Sequence, residues 1–267
     1  MVKKINTHPL IDYALLIFFS FFINYYYSSI GVLPQDTFAY FDTAYRILDG
    51  SIPFKDYWTV SGPFIDYFQA LIFYIFGISW KSYIINGSIL NTLITIIFFY
   101  TIRIFNQDRL HSLFYAFCFS ILANPSMGTP FPDHYSTFLS LMGIFFFLMA
   151  IKKQKKIFWF LVPVCFFFGF LSKQSPSSYI LLTLLISMII YVKYSKDLSF
   201  LKYFLISSLF CLSFLFIFFY FNKINLQQFI YQYILFPKTI AAERIDSYKI
   251  TFNGIFLQFK FIYIFFI

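Results

Sequence analysis

The chain has 267 residues, of which 60% are hydrophobic and only 12% are charged. Soluble domains carry charge on about a quarter of their residues, so this composition excludes a water-soluble globular protein and indicates an integral membrane protein. The net charge of +9 would suit a nucleic-acid-binding protein only if the basic residues formed a water-facing patch. More than half of them instead fall in predicted loops on one side of a membrane, which excludes nucleic acid as a partner.

A helix needs about 20 mostly apolar residues to cross the hydrocarbon layer of a bilayer, with about 17 as the lower limit. By that criterion the sequence predicts an all-α protein, a polytopic transmembrane helical bundle of about eight spans that forms one membrane domain over residues 1–267. The predicted spans are 13–33, 84–104, 110–126, 135–151, 157–172, 177–193, 201–221 and 251–267. Stretch 67–78 is apolar but too short to cross, which predicts a helix lying in the membrane interface.

Lys and Arg are distributed unequally between the two sides of this predicted bundle. With a cytoplasmic N-terminus, the inner segments hold eleven basic residues and three acids, whereas the outer segments hold eight of each. Because basic residues are retained on the cytoplasmic side, this asymmetry predicts a multi-pass protein of the cell inner (cytoplasmic) membrane with its N-terminus in the cytoplasm. The run KKQKK at 152–156 is the strongest marker of the inner side.

The first long outer loop, 34–83, holds five of the eleven acids in the chain. Acidic side chains beside a bilayer are costly to bury and often mark a reacting centre or an ion site. Asp36 follows Pro34 as a helix N-cap, and Asp49-Gly50 ends that helix. The pair Gly62-Pro63 then begins the short interfacial helix, so the sequence predicts two interfacial helices in this loop.

The second long outer loop, 222–250, contains the string NLQQFIYQYILF, whose apolar residues fall at helical spacing. This pattern predicts an amphipathic helix along the outer face that ends at Pro237. Loops of this length are uncommon unless they carry function, so both long loops are candidates for the functional site.

The string from Asp36 to Gly77 resembles the first outer loop of the C-type (GT-C) membrane glycosyltransferases. The most similar branch is the dolichyl-phosphate-mannose protein mannosyltransferase and lipid A aminoarabinose transferase group. The matching elements are Pro34-Gln35-Asp36, Ala44 to Gly50, Pro53-Phe54, Lys55-Asp56-Tyr57-Trp58, Gly62-Pro63 and Phe76-Gly77. Two shorter strings, TPFPDHYSTFL at 129–139 and LSKQSPSSY at 171–179, also resemble elements of this family.

The resemblance implies a glycosyltransferase that moves a sugar from a polyprenyl-phosphate carrier to a glycan, lipid or protein acceptor on the outer face of the membrane. It implies Asp36 as the catalytic base and Asp133 as a second catalytic residue. The residues that it implies for substrate binding are Lys55, Asp56, His134, Lys173 and Gln174. The predicted topology places Asp36, Asp133 and Lys173 on one face of the membrane, so we expect them to converge on one cavity.

No cofactor is predicted from the resemblance. Thr37 stands where a second acid commonly follows the first-loop Asp of the family, so no metal ligands are assigned, and a divalent metal is left open. Relatives usually have more spans, which implies that the C-terminal part of the family's length is missing from this sequence.

Two other functions fit a polytopic helical protein. A transporter or lipid flippase would place ionisable residues in mid-span and show paired halves, whereas the predicted spans are nearly free of charge except at Lys260. A non-catalytic relative in envelope glycan assembly fits the short chain. Structural roles are also open for single residues. Asp36 could serve as a helix N-cap and His134 as a polar helix start, and Lys55 and Lys173 could extend their ammonium groups to the membrane interface.

Overall fold

The fold is described from a computed structural model, which covers residues 9–30, 36–123, 128–196 and 198–247, together with the single residues 254, 257 and 260. These residues are mostly helical, and no strand occurs among them. The all-α helical bundle predicted from the composition is therefore confirmed.

Eleven α-helices and one π-helical segment follow one another along the described chain. They are α1 (Pro9–Ile30), α2 (Asp36–Leu48), α3 (Pro63–Phe76), α4 (Trp80–Ile104), α5 (Arg109–Leu122), α6 (Pro132–Lys153), α7 (Lys156–Phe170), α8 (Gln174–Ser195), α9 (Leu201–Asn222), α10 (Leu226–Ile230), the π segment (Tyr231–Leu235) and α11 (Phe236–Ser247). Helices α2 and α3 are the two short helices predicted in the first long loop.

Five of these helices, α1, α4, α6, α8 and α9, are long and apolar enough to cross a membrane. Two other predicted spans are shorter than expected, since α5 has 14 residues and α7 has 15. At 1.5 Å per residue each is about 21–23 Å long, which is less than the roughly 30 Å hydrocarbon thickness. The predicted last span, 251–267, lies outside the described residues apart from positions 254, 257 and 260.

Helices α4 and α6 form the centre of the bundle, and each is more than half buried. Helices α1 and α5 pack against α4, α7 and α8 pack against α6, and α9 packs against α7. Most of the surface of α1, α8 and α9 is exposed and apolar. Such a surface fits contact with lipid, because an exposed apolar area of this size does not occur on a water-soluble monomer.

Buried amide side chains join the central helices. The Asn91 amide on α4 donates to the backbone carbonyls of Ser20 on α1 and Ser120 on α5, each at 3.1 Å. The Asn86 amide on α4 donates to the Gln69 side chain on α3 at 2.7 Å. Polar contacts of this kind fix which helices pair, because apolar surface alone gives little preference for a partner helix inside a bilayer.

The second long loop is helical from Leu226 to Ser247, so the predicted helix end at Pro237 is wrong. A proline interrupts a helix interior because it lacks the N–H that bonds back to the previous turn. Here Pro237 is the second residue of α11 and follows the π segment, whose last bond runs from the Phe236 N–H to the Tyr231 carbonyl. The wider π turn thus leaves Pro237 at a helix start, where proline is tolerated.

Candidate active site

A cavity of about 440 Å³ lies at the end of the bundle where α6 begins, which we call the Asp133 end. The opposite end, where α6 terminates at Lys153, is the lysine end. The cavity is bounded by α2, by the segment between α2 and α3, by the start of α6 and by the connection between α7 and α8. The polar residues and rings that line it include Tyr40, Thr43, Trp58, Thr59, Asp133 and Lys173.

The structure brings Asp133 and Lys173 together in this cavity. The Lys173 ammonium donates to both carboxylate oxygens of Asp133, each at 2.7 Å. The Asp133 side chain is 45% exposed and the Lys173 side chain is 37% exposed. Pairs with this much solvent contact contribute roughly 0–1 kcal/mol to stability. The pair therefore fixes the lysine without making it costly for a bound anion to replace the carboxylate.

Asp36 is the first residue of α2, as the sequence predicted for the start of this helix. The structure describes Asp36 through its backbone, and its side chain lies outside the described part of the chain. Ala39, Tyr40 and Thr43 follow at i+3, i+4 and i+7 and line the cavity. Helix α2, which begins at Asp36, therefore forms one wall of the cavity.

Asp66 in the first turn of α3 is a buried carboxylate that binds two other elements. It is fully buried, and it accepts hydrogen bonds from the Thr43 hydroxyl at 2.7 Å and the Tyr57 hydroxyl at 3.2 Å. Burial raises the pKa of Asp66 to about 7, and the two hydroxyl donors lower it in part. Burial, and next the charge of Asp66, raise the pKa of the Tyr57 phenol.

Asp66 is one of the five acids of the first long loop, and no role was predicted for it from the sequence. Its contacts join α2, the segment before α3 and α3 itself, so it holds two cavity walls in place. One signal was available in the sequence, because Asp66 is the single charged residue in the apolar run 63–76. A charged residue inside an apolar helix needs a partner when it is buried, and that requirement marks it as structural or functional.

Gly62 brings the first loop against the connection between α7 and α8. Its N–H donates to the Ser172 carbonyl at 3.1 Å, and the Phe64 N–H donates to the Leu171 carbonyl at 3.2 Å. A Cβ on Gly62 would lie 1.7 Å from the Leu171 carbonyl oxygen, so only glycine permits this approach. These contacts hold Lys173 beside the wall formed by residues 58–61.

Lys55 and Asp56 are not among the residues that line the cavity. The Asp56 carboxylate accepts the Ile52 N–H at 2.8 Å and closes the turn in which Lys55 is exposed. The neighbouring Phe54 is buried against Phe229. In the structure this turn is therefore a support for the segment that follows it, and Lys55 is separate from the Asp133–Lys173 pair.

His134 and Gln174 lie next to the ion-paired residues in sequence but contact other groups. The His134 ring packs between Phe131 and Phe138, with centroids 5.6 and 6.3 Å away. Its Nδ1 atom is buried without a hydrogen-bond partner among the described residues. The Gln174 amide donates to the backbone carbonyls of Val60, at 3.4 Å, and Tyr233. No cluster of three or more potential metal ligands occurs in the described part of the chain.

The π segment supports the cavity wall through Gln232, a contact that the sequence analysis missed. The buried Gln232 side chain accepts the Thr59 N–H at 3.1 Å and donates to the Phe54 carbonyl at 3.2 Å. These partners are 173 and 178 residues away in sequence. No local pattern indicates such a pairing, although three glutamines in an otherwise apolar helix were a visible sign of a polar contact.

A second, apolar cavity of about 520 Å³ lies between α7, α8 and α9. Phenylalanine and leucine side chains form most of its wall, including Phe166, Phe170, Leu181 and Leu212. Ser177 also lines it, and the Ser136 hydroxyl accepts the Ser177 N–H at 3.3 Å and donates to the Lys173 carbonyl at 2.9 Å. The geometry therefore places a hydrocarbon-binding volume close to the ion pair of the first cavity.

A protein-family model described as dolichyl-phosphate-mannose-protein mannosyltransferase matches residues 60–236. This range is more than half of the chain, and it includes Asp66, Asp133, Lys173 and the π segment. No curated protein and no solved structure matches the chain.

Proposed function

We propose, because the chain belongs to the dolichyl-phosphate-mannose-protein mannosyltransferase family, that it transfers a sugar from a polyprenyl-phosphate carrier to an acceptor on the outer face of the cytoplasmic membrane. Family membership makes it a membrane glycosyltransferase, and the carrier, the acceptor and the side of the membrane are the proposal. The observation that carries it is the Asp133–Lys173 pair in a cavity whose opposite wall is the helix that begins at Asp36.

The proposed reaction is a direct displacement at the anomeric carbon of the donor sugar. An acceptor oxygen forms the new bond to that carbon, the bond to the phosphate oxygen breaks, and polyprenyl phosphate leaves with the bonding electrons. Asp36 takes the proton from the acceptor oxygen as general base. Lys173 stabilises the negative charge that grows on the leaving phosphate, because an ammonium is a compact donor that suits an anionic oxygen.

Asp133 acts in this proposal by positioning Lys173. Before the donor binds, both carboxylate oxygens hold the ammonium in the cavity. The donor phosphate then competes for the same hydrogen-bond donors, and the exposure of the pair keeps this exchange inexpensive. Gln174 and Asp56 stabilise the surrounding backbone. Lys55, which does not line the cavity, and His134, whose ring packs between two phenylalanines, are secondary candidates for substrate contact.

The apolar cavity is the proposed place for the prenyl chain of the carrier. A polyprenyl phosphate has a hydrocarbon tail joined directly to an anionic head. Because the Ser136 hydroxyl joins Ser177 in the apolar cavity to the Lys173 backbone, a tail between α7, α8 and α9 leaves its phosphate near the ammonium. A carrier with a shorter or more polar tail would lose the apolar contacts, so prenyl length should affect the donor KM.

The test is to measure sugar transfer from a radiolabelled polyprenyl-phosphate-mannose donor by the purified chain in nanodiscs, comparing wild type with Asp36→Asn. Asn caps a helix about as well as Asp, so folding should be unchanged. Loss of the general base should lower kcat by about 10²–10⁴-fold.

Near-normal transfer by Asp36→Asn would make Asp36 a helix cap and remove it from the mechanism. A transporter or flippase would move the intact donor across the bilayer. Neither wild type nor Asp36→Asn would then release polyprenyl phosphate. A non-catalytic relative would also leave the donor unchanged, so the product analysis separates a glycosyltransferase from both alternatives.

A further inference from the structure

A third cavity, of about 540 Å³, lies beside the Asp133–Lys173 cavity on the other side of Trp58. Its lining consists of two aromatic rings and four amide side chains, namely Trp58, Tyr231, Asn225, Gln227, Gln228 and Gln232. Trp58 lines both cavities, so a molecule that fills the third cavity reaches the candidate active site at this ring. We call this volume the amide–aromatic cavity.

The rings of this cavity are fixed in place yet open to a ligand. Trp58 packs edge-on against Tyr231 and Phe236, with ring centroids 5.7 and 5.2 Å away. Trp58 and Tyr231 are nevertheless 51% and 54% exposed. The buried Gln232 bonds to the backbone on both sides of Trp58, which ties the π segment to the Trp58 wall. These internal contacts thus define the shape of the cavity.

The amides differ in how much hydrogen-bonding capacity they have already used. Asn225 accepts the Gln227 N–H at 2.8 Å as the cap of α10, and Gln232 is engaged with the backbone. Gln227 and Gln228 have exposed side chains in the first turn of α10. Each of these amides offers two N–H donors and a carbonyl acceptor to a ligand.

The chemistry of the lining selects a neutral, hydroxyl-rich ligand. None of the described residues that line the cavity is charged, so a phosphate or carboxylate would lose its hydration without gaining a cation. A purely apolar ligand would leave the amides unpaired, which is also unfavourable. A saccharide satisfies both parts of the lining, because its hydroxyls pair with amides and its C–H face packs on aromatic rings.

We propose that the amide–aromatic cavity is a subsite for the acceptor, and that the acceptor presents uncharged sugar residues to it. This assignment rests on the proposed function, since it takes the neighbouring cavity as the place where the donor reacts. The donor sugar is joined directly to its phosphate and therefore lies with Lys173. A group on the far side of Trp58 belongs to the molecule that supplies the attacking oxygen, so the acceptor is a glycan or a glycosylated molecule.

Saccharide binding is tested on the full chain in nanodiscs by saturation-transfer NMR with maltose, cellobiose and α-mannobiose as probes. Wild type should transfer saturation to the ring protons of at least one disaccharide. The double variant Gln227→Ala/Gln228→Ala should weaken that binding by roughly tenfold, since it removes two exposed sets of hydrogen-bonding groups. Gln154→Ala is the matched control, because it removes an exposed glutamine at the lysine end and should leave binding unchanged.

The variant Trp58→Ala should abolish transfer of saturation, and Lys173→Ala should retain it. Absence of binding for all three disaccharides, or equal binding by wild type and the double variant, would overturn the subsite. Inorganic phosphate should not displace the saccharide, and displacement by phosphate would assign the cavity to an anion.

A kinetic measurement separates this inference from the proposed function. With the polyprenyl-phosphate-mannose donor and a bound disaccharide as acceptor, the double variant should raise the acceptor KM and leave the donor KM unchanged. Transfer that proceeds with an unaltered acceptor KM would contradict the subsite and leave the glycosyltransferase assignment intact. Saccharide binding without any transfer would retain the subsite and contradict the proposed reaction.

Discussion

At the scale of single residues, the Asp133–Lys173 pair predicts how the site responds to free anions. Asp133→Asn removes the carboxylate that occupies Lys173, so inorganic phosphate should inhibit transfer about fivefold more strongly. A fivefold change corresponds to roughly 1 kcal/mol of binding free energy, which is the upper end of what an exposed ion pair contributes. Lys173→Ala should lower transfer and abolish inhibition by phosphate. The measurement is the phosphate inhibition constant for each variant, and equal constants in wild type and Asp133→Asn would show that the pair does not control access to the lysine.

Asp66 predicts a dependence of stability on pH. Its pKa is raised to about 7 in the folded protein, against about 3.9 in an unfolded chain. Between these values the folded state holds a proton that the unfolded state has lost. The contribution of Asp66 to stability is therefore complete below about pH 4 and is lost as the pH rises through 7.

In detergent, the Tm of wild type should accordingly fall more steeply between about pH 4 and 7 than the Tm of Asp66→Asn, which cannot ionise there. Scanning fluorimetry of the two proteins over this range measures the difference. Parallel curves would mean that Asp66 is ionised in the folded protein at all these pH values, and that its partners Thr43 and Tyr57 hold a carboxylate throughout.

At the scale of elements, the approach of Gly62 to Leu171 joins the first loop to the connection that carries Lys173. Gly62→Ala should separate them, because the added Cβ overlaps the Leu171 carbonyl oxygen. Overpacking of this kind typically costs about 1–3 kcal/mol, and transfer should fall with the displacement of the wall beside Lys173. The loss of stability is measured as a lower Tm, and the loss of activity as a lower rate of sugar transfer.

Gly50→Ala is the matched control for this change. Gly50 has a φ of +90° but no atom within 4 Å of an added Cβ, so Gly50→Ala adds only the strain of an L residue at positive φ, about 1–2 kcal/mol. An equal loss of transfer in both variants would place the effect in the backbone of the loop and remove the Gly62–Leu171 approach from the account of the site.

The elements also mark the limit of what the sequence could predict. Helices α2 and α3 were predictable because Asp36, Gly50 and Pro63 are local start and stop signals. The bonds from Thr43 and Tyr57 to Asp66 join different elements, and those of Gln232 join distant parts of the chain. Their geometry depends on tertiary packing, which a local pattern does not contain. The π segment before Pro237 was not predicted for the same reason, because a proline by itself predicts the end of a helix.

At the scale of the whole molecule, composition was enough to predict a helical membrane bundle, but hydropathy did not give the lengths of its helices. A hydropathy window counts apolar residues and does not distinguish those facing lipid from those facing protein. Helix α7 is apolar yet short, and Trp159 and Val162 on it are buried among other helices. The predicted span 157–172 therefore matches this helix closely, although its 15 residues are fewer than a bilayer crossing usually needs.

The orientation of the molecule remains a prediction, from the excess of Lys and Arg on one side. In a chain with Cys118, Cys165 and Cys211 replaced by Ser, single cysteines at Lys55 and Gln154 test it, because both positions are exposed and lie at opposite ends of the bundle. A membrane-impermeant maleimide should label position 55 in intact cells and position 154 only after lysis. Labelling of position 154 in intact cells would reverse the topology.

The ion pair also decides how a donor reaches the site. With Asp133 cancelling the charge of Lys173, the cavity presents little net field at a distance, so it does not steer dissolved anions towards itself. A donor held in the bilayer needs no such attraction, because confinement to two dimensions already supplies a high effective concentration next to α7, α8 and α9. For the proposed lipid-linked donor, selectivity over soluble sugar phosphates would then arise from where the molecule is dissolved, before any contact with the sugar is made.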